Sequence, residues 1–451
     1  MKRRVFGIET EYGIACVGPQ GAKPPLDAEH AARELFTPVL ARHRSTNVFT
    51  VNGGRLYLDV GAHPEYATAE CSTIRELIAQ DAAGSRILAS LAAQATRRMR
   101  ERGVGGRIHV FKNNVDAVGN SCGCHENYLV KRSPQFRAMA DALVSFFVAR
   151  SALVGAGWVA PDGSYHLTQR AQAIDDEISA ATTRTRPIIN TRDEPLADAS
   201  AYRRLHVIVG DSSVSQATTM LKIGSTCRML TAVERGIDIS DLCLAQPLRT
   251  LRELSRDPSL KTPVELRDGR RLTIPQLLEI YRERVLNLEC DDELDLRVMD
   301  LWARGNEALA TQQWGPIETE LDFAIKYRLL QRASARAARS LTKAEQTRLE
   351  LAYHDITDAS LAPSLAAAGA LTSVVTDAEV EQARHRAPTT TRAHLRARVL
   401  AAAKEHGRDV SVDWLHIRLN DSRRPTLTLA DPLASDNPDV EALIADMEDQ
   451  Q

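Results

Sequence analysis

The stretch Val5-Phe6-Gly7-Ile8-Glu9-Thr10-Glu11-Tyr12-Gly13-Ile14-Ala15-Cys16-Val17 interleaves carboxylates with apolar residues, and the rest of the chain is read outward from it. Residues two apart on a strand share a face. Glu9 and Glu11 therefore point one way, about 7 Å apart along the backbone, while Ile8 and Thr10 point the other. Val48 to Val51 is β-prone, Asn52-Gly53-Gly54 carries turn residues, and Arg55 to Val60 alternates polar with apolar. This predicts a strand and then a hairpin, with Arg55, Tyr57 and Asp59 on one face and Leu56, Leu58 and Val60 on the other. One face is core, and the other is open to chemistry.

Further along, Thr73 and Glu76 form a capping box, and Ile74, Leu77, Ile78, Leu88, Leu91 and Ala95 follow at helical spacing, predicting a helix to about Arg100. Arg107 to Lys112 reads as a strand, Gly119 to Gly123 as a loop, and Leu205 to Val209 as a buried strand ending at Gly210-Asp211. The mixture predicts an α+β fold with a largely antiparallel sheet and packed helices. Gln246 to Ala352 is helical in pattern, and an Ala-rich stretch from Ala359 to Ala370 leads to Thr376-Asp377, where a boundary is expected. Residues 1–375 then form a catalytic domain and 376–451 a small αββ domain. In the latter, Thr391 to His406 is a helix closed by Gly407, and Val410 to Leu419 is a strand. A turn at Asp421-Ser422-Arg423-Arg424 and a second strand follow. Glu441 to Gln451 reads as a short acidic helix or a frayed end.

The 451 residues carry 57 basic and 59 acidic side chains, a net charge of -2, so no global field draws the chain to nucleic acid or an anionic membrane. Met1 to Glu11 has no apolar core of a signal peptide, and Arg150 interrupts Ala142 to Ala160, the most apolar stretch; no membrane span is expected. Seven scattered cysteines fit reduced thiols, and a cytoplasmic location is expected. Cys122, Cys124 and His125 look like a fragment of a zinc site, but no second CxxC or HxxxH completes four ligands.

Any single alternating strand is most simply a solvated outer face. Here, however, Glu9 and Glu11, then Arg55, Tyr57 and Asp59, then Glu65, Thr68 and Glu70 arrive in quick succession. Such carboxylate density with one Arg suits hard cations bridging a polyphosphate, so ATP and Mg2+ are expected. Neither GxxxxGK[ST] nor a GxGxxG following a strand is present, which excludes a P-loop or Rossmann mode of holding the nucleotide. By analogy, antiparallel sheets lined with Glu, His and Arg belong to carboxylate-amine ligases of the glutamine-synthetase style. That analogy makes His206 a candidate metal ligand, while His125 reads as a hydrogen-bonded loop or core histidine. Arg192, Arg203 and Arg204 are candidates for pairing phosphate or a substrate carboxylate.

Gly7-Ile8-Glu9-Thr10-Glu11-Tyr12-Gly13, Asn52-Gly53-Gly54-Arg55-Leu56-Tyr57-Leu58-Asp59 and His63-Pro64-Glu65-Tyr66-Ala67-Thr68-Ala69-Glu70-Cys71 closely resemble the Pup ligase and depupylase family of actinobacteria. So do Lys112-Asn113-Asn114, His125-Glu126-Asn127-Tyr128, Ile189 to Pro195, Tyr202 to Asp211, Leu351 to Asp355 and Asp413-Trp414, nearly end to end. The resemblance implies a glutamine-synthetase-like ligase that joins the C-terminal glutamate side chain of Pup, a small disordered protein, to lysines of target proteins destined for the bacterial proteasome. It further implies Glu9, Tyr57 and Glu65 as magnesium ligands, with Glu11 beside them, Arg55, Thr68 and Trp414 as ATP contacts, and Asp59 as the catalytic base. Through Trp414 the small domain would contribute to the nucleotide site, although its pattern alone reads as core. Related alternatives are an amidase acting on the same bond and a silent Pup-binding protein. In the depupylase branch a long insertion separates the first two motifs, whereas here only residues 14 to 51 do. Two departures from the family pattern stand out: Cys122 replaces a tyrosine, and Leu196 replaces a histidine.

Overall fold

Tyr12 breaks the opening stretch in two. In the computed structural model, which describes the chain except residues 2, 20, 21, 60, 117, 118, 182–184, 291 and 449–451, β1 is Phe6–Glu11 and β2 is Gly13–Val17. The Tyr12 ring is fully buried, its N–H donates to the Pro64 carbonyl at 2.8 Å, and its hydroxyl meets Ser85 Oγ at 3.1 Å. The chain therefore changes partners there. β1 lies inside the main sheet, while β2 pairs with β6, Arg107–Phe111, in a separate ribbon.

The main sheet is completed by β3 (Asn47–Phe49), β4 (Arg55–Leu58), β5 (Pro64–Ala67), β7 (Cys124–Lys131), β10 (Asp176–Ser179), β11 (Pro187–Asn190) and β12 (Tyr202–Val207). Among the described residues it has eight strands in the order β10-β11-β12-β7-β1-β5-β4-β3, antiparallel except for β10 with β11. The two-residue strands β8 (Trp158–Val159) and β9 (Tyr165–His166) pair outside it. The strand expected over Leu205 to Val209 starts earlier and alternates in burial, because only one face of the sheet is covered.

β4 ends at Leu58, so Asp59 stands just beyond the strand, and Val60 lies outside the described residues. The turn before β4 needs Gly53, whose φ is +80°.

Helices cover one face of the sheet. α1 is Ala28–His43, α2 Ile74–Glu101, α3 Phe136–Val154 and α4 Gln216–Glu234. The capping box of Thr73 and Glu76 starts α2 as expected. Gly84 of α2 has no Cβ because one would sit 2.1 Å from the Tyr66 ring. Phe6, Ile8, Tyr128, Leu205 and Val207 meet α2, α3 and α4 in one apolar cluster. The helical region supplies α5 (Pro247–Arg256), α6 (Ile274–Val285), α7 (Glu293–Thr311), α8 (Asp322–Ala337) and α9 (Lys343–His354). A short hairpin of β13 (Val264–Glu265) and β14 (Arg271–Leu272) interrupts it. No helix among the described residues is long and apolar enough to cross a membrane.

α10 (Ala362–Ala367) and α11 (Asp377–His385) follow, and Val380 and Ala383 of α11 join the large apolar cluster. The tail has its own cluster, built from α12 (Ala393–Glu405), α13 (Pro438–Glu448) and a sheet of β15 (Val410–Val412), β16 (His416–Leu419) and β17 (Leu427–Thr428). The single strand expected over Val410 to Leu419 is a hairpin. Asp413 accepts from the N–H groups of Leu415 and His416 at 2.6 and 2.7 Å, which turns the chain at Trp414. The expected αββ unit thus gains a third strand, and the short acidic helix expected from Glu441 is α13, which starts earlier, at Pro438.

Candidate active site

The open face of the sheet is assembled in rows by strand register. Tyr57 lies opposite Glu65, which lies opposite Glu11. In the next row Phe49, Arg55, Ala67, Glu9 and His125 are successive cross-strand partners. Gly7, Asn127 and His206 continue the face, and Arg204 lies opposite Leu129. Directly opposed residues on neighbouring strands share a face, so the alternation on each strand sums to one polar surface.

Glu9 is the hub. The Tyr57 hydroxyl donates to its Oε1, and His125 Nδ1 meets its Oε2 at 3.2 Å. Burial opposes ionisation of Glu9, but these hydrogen bonds and the His125 charge outweigh it and hold the carboxyl well below the usual range. Glu65 behaves oppositely: burial, then the charges of Glu9 and Glu11, push it up to about 9. Such a patch of crowded carboxylates fits positive charge, and oxygen donors suit a hard divalent cation. Glu9, His125 and His206 also bring one ligand atom each within 4.8 Å of one another. The His206 ring lies edge-on to His125, centroids 5.1 Å apart, and its buried Nε2 has no hydrogen-bond partner among the described residues. Burial, His125 and Arg204 keep the imidazole in its neutral, ligating form. His125, read from sequence as a core or loop histidine, therefore belongs to the site. Only the register against Glu9 reveals it, because no second histidine stands at ligand spacing along its own strand.

Around this hub the remaining expected residues divide. Arg55 Nε donates to Asn47 Oδ1 at 2.7 Å, and its guanidinium lies 4.6 Å from the Tyr57 ring centroid. A cavity of about 110 Å³ is lined by Glu9, Thr68, Arg204 and Trp414, together with Arg392 and Leu196. Thr68 Oγ1 accepts from the Ile8 N–H at 3.2 Å. Arg204 is held by Asn127 Oδ1 and Glu194 Oε2, each at 3.2 Å. Arg192 is not brought into this lining; it sits half-exposed after β11, 3.5 Å from Glu194. Asp59 is exposed at the exit of β4, where its N–H donates to the His63 carbonyl at 3.1 Å. Glu11 Oε2 accepts from the Gly123 N–H at 2.6 Å, and a Cβ on Gly123 would lie 2.6 Å from both Glu11 Oε1 and His125 Nε2.

Glu70 does not join the carboxylate patch. It is buried against Arg392, which caps the start of α12, and Arg396, four residues on in its first turn. Burial opposes its ionisation, but the two guanidinium groups hold it down to about 2. Arg396 also lies 5.2 Å from the ring centroids of both Phe49 and Trp414, and those two rings meet edge-on at 4.9 Å. Trp414 is thus no core residue of the tail. It is presented by a turn to the edge of the sheet, and Glu70 and Arg396 anchor the helix that supports it.

A family model described as Pup-ligase protein matches residues 4–418. The chain is 48% identical over 453 residues to a Pup–protein ligase of Sanguibacter keddieii, spanning 99% of each. Its fold is similar to that of the ligase PafA solved in complex with the prokaryotic ubiquitin-like protein Pup. The TM-score is 0.94 and the identity 38%, covering 100% of this chain and 93% of that one. The Pup ligase PafA solved with ADP is similar at a TM-score of 0.85 and 38% identity, with 94% of each chain covered. A family match that spans the whole main sheet and runs into the tail as far as residue 418, with relatives aligned from end to end, makes this chain a member of the Pup-ligase family.

Proposed function

We propose that the chain is an ATP-dependent Pup–protein ligase, which activates the side-chain carboxylate of Pup's C-terminal glutamate and joins it to lysines of target proteins. The observation that carries this reading is the Glu9, Glu11, Glu65, Tyr57 and Arg55 face in a chain whose full-length relatives include a ligase solved with Pup and one solved with ADP. We assign the sheet to the glutamine-synthetase-like class on the character of that open antiparallel face.

A carboxylate and an amine do not condense at neutral pH. The carboxylate must first take the γ-phosphoryl group of ATP, giving an acyl phosphate and ADP; the lysine amine then displaces phosphate and forms the isopeptide bond. Glu9, Tyr57 and Glu65, with Glu11 and His206 beside them, are the proposed ligands of Mg2+, which supplies positive charge to the phosphoryl oxygens when bound. Arg55 pairs the transferring group, and Arg204 stands at the cavity wall to hold an anionic oxygen. Thr68 and Trp414 line the same cavity and are assigned to the nucleotide. Asp59 is the proposed base. Its exposure leaves it open to an incoming lysine ammonium, whose proton must leave before attack. The catalytic unit is taken as residues 1–375 and the nucleotide-contributing unit as 376–451, with α11 at the start of the latter packed into the large apolar cluster of the former.

Hydroxylamine intercepts acyl phosphates as hydroxamates. Incubation with ATP, hydroxylamine and Pup ending in glutamate, without a target protein, is expected to yield a hydroxamate on that residue. ATP turnover without hydroxamate counts against acyl-phosphate activation.

A further inference from the structure

Glu11 faces a second group of potential ligands. Its carboxylate, the His63 imidazole and the Cys122 thiol bring one donor atom each within 4.8 Å of one another. The three arrive from β1, from the segment just before β5 and from the loop leading into β7, so no spacing in the sequence announces them.

Each is positioned by contacts outside the cluster. Gly123 N–H donates to Glu11, His63 accepts through its carbonyl from Asp59, and the Cys122 backbone is pinned between Asn114 and the Arg170 guanidinium. Neither the His63 ring nor the Cys122 thiol makes a side-chain hydrogen bond among the described residues. Carboxylate, imidazole and thiol together are the donor set of a borderline-soft divalent ion, and three protein ligands leave its fourth position open. A hard ion such as Mg2+ has no use for the thiol. Arg170 opposes a cation here, while Glu11, Glu65 and Asp116 favour one.

We propose that Glu11, His63 and Cys122 form a binding site for a thiophilic divalent cation of the Zn2+ class, beside the nucleotide face. Binding converts the Cys122 thiol to a metal-bound thiolate and releases its proton to solvent. Through the Asp59 to His63 backbone hydrogen bond, the ion ties the segment bearing Asp59 to β1.

The test uses the full chain carrying Cys290→Ser, which removes an exposed thiol, and Co2+ as the probe, with neither nucleotide nor Pup present. Failure here therefore leaves the ligase reading untouched. A thiolate-to-cobalt charge-transfer band is expected, displaced by Zn2+ and absent after Cys122→Ser. His63→Gln is expected to weaken Co2+ binding by more than about tenfold. Circular dichroism verifies that both variants are folded. No band in the parent, a band of equal strength in folded Cys122→Ser, or unchanged affinity in folded His63→Gln overturns the site.

Discussion

Asp59 stands outside the strand and exposed, so its replacement leaves the core and the proposed metal ligands in place, although its charge reaches Glu65. Asp59→Asn is expected to retain ATP binding while conjugation slows by a factor on the order of 10² to 10⁴, the range for a lost general base. Near-normal conjugation by this variant removes Asp59 from the mechanism. Glu9→Gln and Glu65→Gln are expected to weaken Mg2+-dependent nucleotide binding, because an amide is a poorer ligand for a hard cation. ATP affinity measured at limiting Mg2+ checks this; no change in either variant argues against the assignment. Alternation alone made Glu9, Glu11, Tyr57 and Arg55 legible, since period-two patterning fixes which side chains share a face. His125 and His63 were not legible in that way, because their proximity to Glu9 and Glu11 depends on strand pairing between segments far apart in the chain.

Helix α12 joins the tail to the sheet through one buried carboxylate. Held at about 2 in the folded chain against an ordinary 4.5, Glu70 contributes its full stabilisation above about pH 4.5 and loses it as the pH falls toward 2. That shift corresponds to about 3 kcal/mol. Glu70→Gln is therefore expected to lower stability by about that amount at neutral pH and to flatten its dependence between pH 4.5 and 2, read by denaturant titration. A variant that keeps the parent slope in this window shows that the pair contributes little. In the turn between β15 and β16, where Arg396 of the same helix meets the ring, Trp414→Ala is expected to weaken ATP binding by about 1–3 kcal/mol, the value of aromatic stacking on a base. Lowered melting temperature with unchanged ATP affinity instead makes Trp414 a packing residue only. The capping box of α2 and the turn before β4 follow from local chemistry and were legible. The breaks at Tyr12 and Trp414 were not: one is imposed by burial of a ring against Ser85, the other by a side-chain turn at Asp413, and neither disturbs the apolar pattern.

At the scale of the molecule, helices seal one face of an antiparallel sheet and leave the other to carboxylates, imidazoles and arginines, with the tail set at its edge. The α+β class and the helical region were legible because periodicity is a local property. The order of strands was not, since β1 lies between β5 and β7 for reasons of long-range pairing. The central claim is that this surface makes isopeptide bonds at the expense of ATP. The most direct measurement is mass spectrometry of a lysine-bearing protein incubated with the full chain, Mg2+, ATP and Pup ending in glutamate, with ADP quantified alongside. A target mass increased by Pup less one water, with one ADP formed per bond, is the expected result. Rapid deamidation of glutamine-ended Pup, or cleavage of conjugates with none formed, contradicts the account and identifies an amidase.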